Sequence, residues 1–158
     1  MILKIEHKKN INAKEIWSIF QASYTTEAKM LKATDFPPLK RTVSQFLNSN
    51  TKFYGYYLIK NLAGVIEIDN NEGVTHIQSL VVYPKYFRKG IGRELVNYVL
   101  ETSDSIIFTV ETGFENLPAK RLYRSFDFKE KDQWDTKHGV RKIRFEKKIF
   151  TQSLIVGF

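Results

Sequence analysis

The residues best suited to bind a ligand form a short turn rich in glycine and positive charge. The chain reads Arg88-Lys89-Gly90-Ile91-Gly92-Arg93 between an apolar strand that ends at Val82 and a helix that starts near Gly92. Such a turn leaves the first helical N–H groups without partners, and the helix dipole adds positive potential at the same place. Glycine lets a pyrophosphate approach the backbone closely, and the flanking cations add to the field. The turn is therefore predicted to bind phosphate, with an ordinary tight turn as the alternative.

Two common phosphate-binding motifs fit this turn less well. A P-loop ends in Gly-Lys-Ser/Thr, whereas this chain continues as Gly92-Arg93-Glu94. A dinucleotide fingerprint has a third glycine, whereas this chain has Leu95 at that position. A P-loop or a dinucleotide site is therefore the weaker interpretation of the turn.

Two segments of the chain together resemble the GNAT superfamily of N-acetyltransferases. The cofactor motif of that family is a strand, a proline and then Gln/Arg-x-x-Gly-x-Gly/Ala opening a helix. This chain has the similar order Leu80-Val81-Val82-Tyr83-Pro84 and then Gly90-Ile91-Gly92-Arg93-Glu94-Leu95. A second family segment, Asn-x-x-Ala-x-x-Leu-Tyr-x-x-x-Gly-Phe, is similar to Asn116-Leu117-Pro118-Ala119-Lys120-Arg121-Leu122-Tyr123 followed by Phe126-Asp127-Phe128.

Two residues depart from the family pattern. Phe87 stands where the family usually has Gln or Arg. The phosphate contacts that the resemblance implies come mainly from backbone N–H groups, which Phe87 also has, so cofactor binding is expected to survive. Asp127 replaces the Gly before Phe128. Asp tolerates a left-handed backbone better than most residues, so this change is interpreted as a local adjustment.

The resemblance implies acetyl-coenzyme A (acetyl-CoA) as the cosubstrate and no metal. The backbone of the strand at residues 80–82 is implied to pair with the pantetheine arm, and the Asn116 amide to reach the far end of that arm. An N-cap for the following helix is the simpler role for Asn116, and the two roles are compatible. The implied cofactor contacts are Leu80, Val81, Val82, Phe87, Arg88, Lys89, Gly90, Ile91, Gly92, Arg93, Asn116 and Ala119.

Acetyl transfer from a thioester requires a deprotonated amine, a donor for the developing oxyanion and an acid for the leaving thiolate. Tyr123 matches the family position for the acid, with a core aromatic as the alternative. His76 matches the strand position at which many relatives carry a glutamate base, on the face that regular alternation shares with Leu80. Its imidazole is able to accept a proton near neutral pH. A histidine without a catalytic role is equally compatible, and Glu67 and Glu111 are weaker candidates for the base.

These assignments predict an N-acetyltransferase. It would move an acetyl group from acetyl-CoA to a primary amine of a small molecule or peptide, by direct attack in a ternary complex. A non-catalytic acyl-CoA sensor of the same fold is the alternative, although a sensor would not need Tyr123. The acceptor is unidentified, and four aromatic residues are candidates either for its pocket or for the core: Tyr24, Phe36, Tyr54 and Tyr56.

The elements around these motifs agree with the family fold. We expect a GNAT-like α/β (α+β) domain, with a central mixed, mostly antiparallel sheet of six to seven strands flanked by about four helices. The predicted strands are 2–6, 53–59, 65–68, 74–82 and 106–110, with a closing hairpin that contains Trp134 and 140–148. The predicted helices are 13–22, 42–47, 92–102 and 118–126. Pro37 and Pro38 interrupt the chain between the first two helices, and this segment is a candidate for a mobile, substrate-facing one.

Composition narrows the partners and the location. The chain has 158 residues, no cysteine and a formal net charge of +8. Without cysteine there are no disulfides, no thiolate catalysis and no cysteine-based zinc site. The positive charges are scattered, with no basic helix or RNP-type motif, so nucleic acid is disfavoured and coenzyme A accounts for the charge. The chain carries no secretion-type segment and no apolar run of about 20 residues, so a soluble cytoplasmic protein without a membrane partner is expected.

The last segment, 150–158, is unusually apolar for a chain end. Residues 1–149 are interpreted as a single GNAT-like domain and this segment as its apolar tail. An extra strand or a core flap is predicted for the tail. An interface contact, and with it a homodimer, is the alternative.

Overall fold

The computed structural model describes residues 1–149, which form a seven-stranded sheet with helices on both faces. The strand order is β1-β2-β3-β4-β5-β7-β6, and β4 and β5 form the parallel pair in an otherwise antiparallel sheet. The strands are β1 Ile2–Ile5, β2 Lys52–Leu58, β3 Asn61–Asn71, β4 Val74–Val82, β5 Ile107–Gly113, β6 Lys129–Asp135 and β7 Arg141–Lys148. The α-helices are α1 Asn10–Met30, α2 Val43–Leu47, α3 Ile91–Thr102 and α4 Leu117–Ser125.

The predicted fold class is confirmed by this arrangement, and the element boundaries agree closely with the predicted ones in the second half of the chain. The predicted tail, 150–158, lies outside the described residues. In the first half, α1 continues to Met30, whereas the prediction ended it at Ala22. The helix extends because Ala28 still buries its side chain, one face of α1 being covered along its whole length.

The hairpin between β2 and β3 is tighter than predicted. β3 begins at Asn61, and Ile59 in the turn has a φ of 58° and is 97% exposed. The connection predicted between the strands at 53–59 and 65–68 was too long, because Gly64 lies inside β3. A Cβ on Gly64 would lie 2.7 Å from Ile91 Cγ2, so the glycine serves close packing of α3 on the sheet.

Alternation along the strands divides the core between the two faces of the sheet. On β3, Val65 packs in a cluster with α1 and α2, and the adjacent Ile66 packs in a cluster with α3 and α4. We call these two sides the α1 face and the α3 face. The core of the α1 face comprises Ile5, Ala13, Ile16, Ile19, Phe20, Phe46, Phe53, Leu62, Val65 and Val81.

A β-bulge in β4 corrects the predicted orientation of His76. Where β3 advances by one residue β4 advances by two, and Gln78 is left without a partner on β3. Side-chain alternation is displaced at such a bulge. Ile77 and Leu80 consequently both pack on the α3 face, and His76, which precedes Ile77, lies on the α1 face. The prediction that His76 shares a face with Leu80 was wrong because regular alternation does not anticipate a bulge.

A buried ion pair fastens the segment between α1 and α2 to the sheet. Glu67 on β3 is fully buried, and its two oxygens accept hydrogen bonds from Arg41 Nη1 and Nη2 at 2.7 and 2.8 Å. Thr51 and Ser79 donate one further hydrogen bond each to the carboxylate, at 2.6 and 3.0 Å. The Arg41 guanidinium also lies 4.1 Å from the centre of the Phe46 ring. Glu67 is therefore engaged in structural bonds at both oxygens.

The Arg41→Met variant is expected to lose about 3–5 kcal/mol of unfolding free energy, because it leaves the Glu67 carboxylate buried without its cation. Urea unfolding at neutral pH measures this loss. Lys40→Met is the matched control, since Lys40 pairs with Asp35 at the surface and both partners are largely exposed. A far smaller change is expected there. Equal losses in the two variants would contradict this account of the ion pair.

Candidate active site

The site is organised by a gap in the sheet between β4 and β5. The two strands pair only where 74–77 meets 107–110. β4 then continues to Val82 along β3, and β5 continues to Gly113 along β7, without a ladder between them. The β4 edge at residues 80–82 therefore has no strand partner on that side among the described residues. An unpaired edge of this kind offers backbone N–H and C=O groups to an extended ligand.

The phosphate-binding turn lies beside this edge. Gly90 is the N-cap of α3, with a φ of 78°, and no side chain caps the helix. The first helical hydrogen bond of α3 is donated by the backbone N–H of Glu94 to the carbonyl of Gly90. The backbone N–H groups of residues 91–93 are therefore free to bind an anion. A Cβ on Gly92 would lie 3.7 Å from both Leu80 Cδ2 and Leu122 Cδ2, so the start of α3 sits between the β4 edge and α4.

The basic side chains of the turn differ in the contacts that they make. Arg88 and Lys89 are exposed, and Arg88 has a left-handed backbone with a φ of 63°. Arg93 instead donates from Nη2 to Ser125 Oγ at 3.0 Å, which ties the start of α3 to the end of α4. All three cations are exposed, but Arg93 is engaged with Ser125, whereas Arg88 and Lys89 make no hydrogen bond or ion pair within the described residues.

Asn116 uses both ends of its amide. Its Oδ1 accepts from the backbone N–H of Ala119 at 3.2 Å, which is the N-cap predicted for α4. Its Nδ2 donates to Oε1 of Glu27 on α1 at 2.9 Å. The cofactor contact predicted for Asn116 stays a prediction. At the other end of α4, Asp127 has a φ of 65°, the left-handed backbone that its place before Phe128 requires.

Tyr123 projects from α4 into the core of the α3 face and is 3% exposed. Its ring centre lies 5.5 Å from that of Phe128 and 6.2 Å from that of Phe145. Burial, with the neighbouring Tyr24 and Glu27 as smaller causes, raises the pKa of Tyr123 well above its usual range. The phenol therefore stays protonated at physiological pH, as an acid that gives its proton to a thiolate must be.

Two α1 residues, Tyr24 and Glu27, lie close to Tyr123, and Glu27 was not among the candidates from the sequence. Tyr24 is partly buried and packs against the core of the α1 face, and burial raises its pKa strongly. Burial also raises the pKa of Glu27, against the lowering effects of the Asn116 hydrogen bond and of Lys142. Both residues lie beyond the predicted end of the helix at Ala22, so no helical face was assigned to them. Continued helical spacing from Phe20 to Ala28 was the signal that would have found them.

His76 lies in a different charged environment on the α1 face. Its Nδ1 is 2.7 Å from Thr109 Oγ1 on β5. Burial lowers the pKa of His76, and among the neighbouring charges Glu111 raises it while Arg144 lowers it. Glu111 and Arg144 form an ion pair of 3.6 Å. The groups that act on His76 therefore differ from those that act on Tyr123, which are Tyr24 and Glu27.

The four aromatic candidates for the acceptor pocket lie on two different faces of the sheet. Tyr54 packs against Tyr98 of α3 with ring centres 5.3 Å apart, and Tyr56 packs against the same core cluster. Both therefore lie on the α3 face. Tyr24 and Phe36 lie together on the α1 side, with ring centres 5.8 Å apart. Of the four, Tyr24 is the one whose charge acts on Tyr123.

Fold and site together define an acetyltransferase domain, and comparison with known proteins agrees. A family model of the acetyltransferase (GNAT) domain matches residues 21–149, so the chain belongs to this family. The UPF0157 protein YqkA of Bacillus subtilis (strain 168) is 32% identical over 141 residues, which is 89% of this chain. The chain spans 41% of the length of that curated relative.

Solved structures with the same fold include two N-acetyltransferases. The ribosomal-protein-S18-alanine N-acetyltransferase of Escherichia coli matches with a TM-score of 0.74 at 18% identity, over 96% of this chain and 94% of that one. The PaiA N-acetyltransferase of Thermoplasma acidophilum, solved in complex with coenzyme A, matches with a TM-score of 0.73 at 16% identity, over 94% and 98%. At these identities the likeness establishes the fold alone.

Two further observations concern the described part of the chain. Between residues 1 and 149, no helix has the length and apolar character needed to span a bilayer. Within the same range, no three His, Cys, Asp or Glu side chains converge as they would around a metal ion.

Proposed function

We propose that this protein is an N-acetyltransferase that moves an acetyl group from acetyl-CoA to a primary amine of a small molecule or peptide. The observation that carries the proposal is the gap between β4 and β5. The gap offers a free strand edge beside the uncapped N-terminus of α3, and the buried, protonated phenol of Tyr123 lies on α4, which contacts the start of α3. Those three groups are what an extended pantetheine arm, a pyrophosphate and a leaving thiolate respectively require.

The donor side of the reaction follows from the gap. The pantetheine arm would pair with the β4 edge at residues 80–82, and the pyrophosphate would accept hydrogen bonds from the amides at the start of α3. Arg88 and Lys89 would add positive charge beside the phosphates. PaiA, which shares the fold, was solved in complex with coenzyme A, and this supports coenzyme A as the ligand.

The chemical step would be direct attack in a ternary complex. The amine nitrogen bonds to the thioester carbonyl carbon, the carbon–sulfur bond breaks, and Tyr123 gives its proton to the sulfur. Backbone N–H groups of the free β4 edge are available to the oxyanion. His76 stays the base predicted from the sequence; because burial lowers its pKa, its imidazole is neutral and able to accept a proton at pH 7.

Replacement of Gly90 by Ala is expected to weaken coenzyme A binding about tenfold. The left-handed backbone costs Ala about 1 kcal/mol, and its relaxation re-aims the amides that would bind phosphate. Gly139→Ala is the matched control, because Gly139 has nearly the same φ, 76° against 78°, and neither position has an atom near an added Cβ. Thermal unfolding should show similar losses in both variants, and calorimetry a raised Kd only at Gly90. An unchanged Kd at Gly90 would remove the turn from the binding site.

The Tyr123→Phe variant is expected to lower kcat by about a hundredfold or more, since it removes the proton but keeps the ring between Phe128 and Phe145. Coenzyme A affinity should stay the same. Thiol release under saturating substrates measures the first quantity and calorimetry the second. Tyr98→Phe, on α3 beside Tyr54, is the control and should retain full turnover. Full turnover in Tyr123→Phe would assign the ring to the core alone.

A further inference from the structure

Glu27 is held at the gap by contacts that come from distant parts of the chain. Asn116, at the N-terminus of α4, donates to its Oε1 at 2.9 Å. One turn further along α1, Leu31 packs so closely on Gly113 at the end of β5 that an added Cβ would lie 2.8 Å from Leu31 Cδ1. Ala28, next to Glu27, is buried with Phe36 and Val140. The carboxylate is therefore fixed in position between α1, β5 and α4.

Keeping the Glu27 carboxylate at this partly buried place is energetically unfavourable. The ion pairs formed among residues 1–149 do not include it. Its surroundings are the Asn116 amide, the Tyr24 and Tyr123 phenols and, as the neighbouring cation, Lys142 of β7. A carboxylate that is removed from water with incomplete compensation favours either protonation or the arrival of a cation. Glu67 shows the contrast, since both of its oxygens are occupied by Arg41, Thr51 and Ser79.

We infer that Glu27 receives the acceptor amine as an ammonium ion and removes the proton that blocks its attack on the thioester. The inference rests on the proposed function and deepens it, because it places the acceptor between Glu27 and Tyr123. It also names the acceptor class as an aliphatic amine that is cationic at neutral pH, which a carboxylate recognises by charge and by hydrogen bonding.

The protons balance in this scheme. Glu27 takes one proton from the ammonium ion, and the neutral nitrogen then attacks the carbonyl carbon. A second proton leaves the nitrogen as the amide forms. It passes through water to Tyr123 and replaces the proton that Tyr123 gives to sulfur. The products are the amide, the free thiol of coenzyme A and one proton, which leaves Glu27 for solvent.

The Glu27→Gln variant tests this role with little structural change, because its amide oxygen still accepts from Asn116. The parent and variant chains are assayed with acetyl-CoA and the best acceptor from a screen of amino acids, diamines and tripeptides with free N-termini. At neutral pH, kcat/KM for the acceptor should fall about a hundredfold while the Kd of coenzyme A is unchanged. The deficit should shrink as the pH approaches the pKa of the amine, about 8 for a peptide N-terminus and about 10 for a lysine-type amine, because the amine then arrives neutral.

The pH profile of the parent shows in which direction activity changes with pH. The carboxylate form is the active one, so activity rises with pH through the pKa of Glu27. Burial raises this pKa, and the acid limb should therefore lie above the ordinary range of a glutamate. Glu27→Asp keeps the carboxylate and should restore a parent-like profile. Glu101→Gln, an exposed carboxylate on α3, should leave the profile unchanged.

His76→Ala separates the two candidate bases. If the loss in kcat/KM for the acceptor disappears at high pH in His76→Ala but not in Glu27→Gln, the inference is overturned. Undiminished transfer by Glu27→Gln at neutral pH also overturns it. A deficit in Glu27→Gln that is constant across pH also overturns it, because a purely structural role gives that result. Coenzyme A binding by the parent without transfer to any amine overturns the proposed function instead, and the inference falls with it.

Discussion

The structure depends on the early separation of β4 from β5. A parallel pair held by only four residue positions leaves the rest of each strand bonded on one side. The bulge at Gln78 lies immediately after the paired stretch, so β4 changes its alternation at the place where it loses its neighbour. Backbone groups that an unbroken sheet would use in pairing are available for a ligand, and the α1 residues Tyr24 and Glu27 act on Tyr123 of α4.

The buried ion pair of Arg41 and Glu67 has a separate role, which is to hold the gap's α1 side in place. Glu67 lies on β3 and reaches Ser79 on β4, next to the bulge, while Arg41 anchors the segment that follows α1. The same α1 carries Tyr24 and Glu27 at its far end. A fully bonded carboxylate thus stabilises the scaffold, and an incompletely bonded carboxylate nearby is left for chemistry.

Charge is divided across the gap in a way that suits the proposed reaction. On the donor side, the helix N-terminus with Arg88 and Lys89 is positive and favours phosphates. On the acceptor side, the Glu27 carboxylate would favour an ammonium ion. In the proposed reaction Tyr123 would act between the two sides, where the thioester bond would break. The net charge of +8 would therefore include a local negative site.

The sequence by itself determined the features that are written in contiguous residues. These are the turn at 88–93, the cap at Asn116, the position of Tyr123 and most element boundaries in the second half of the chain, since local hydrogen bonding and apolar spacing specify them. Only the tertiary structure decided the face of His76, the close packing at Gly64 and the contact of Glu27 with Asn116. Each of these depends on backbone geometry or on contacts between distant segments, as Asn116 and Glu27 show across the length of the domain. Apolar periodicity carries no information about such contacts, because it records which side of an element is buried and not which residues meet there.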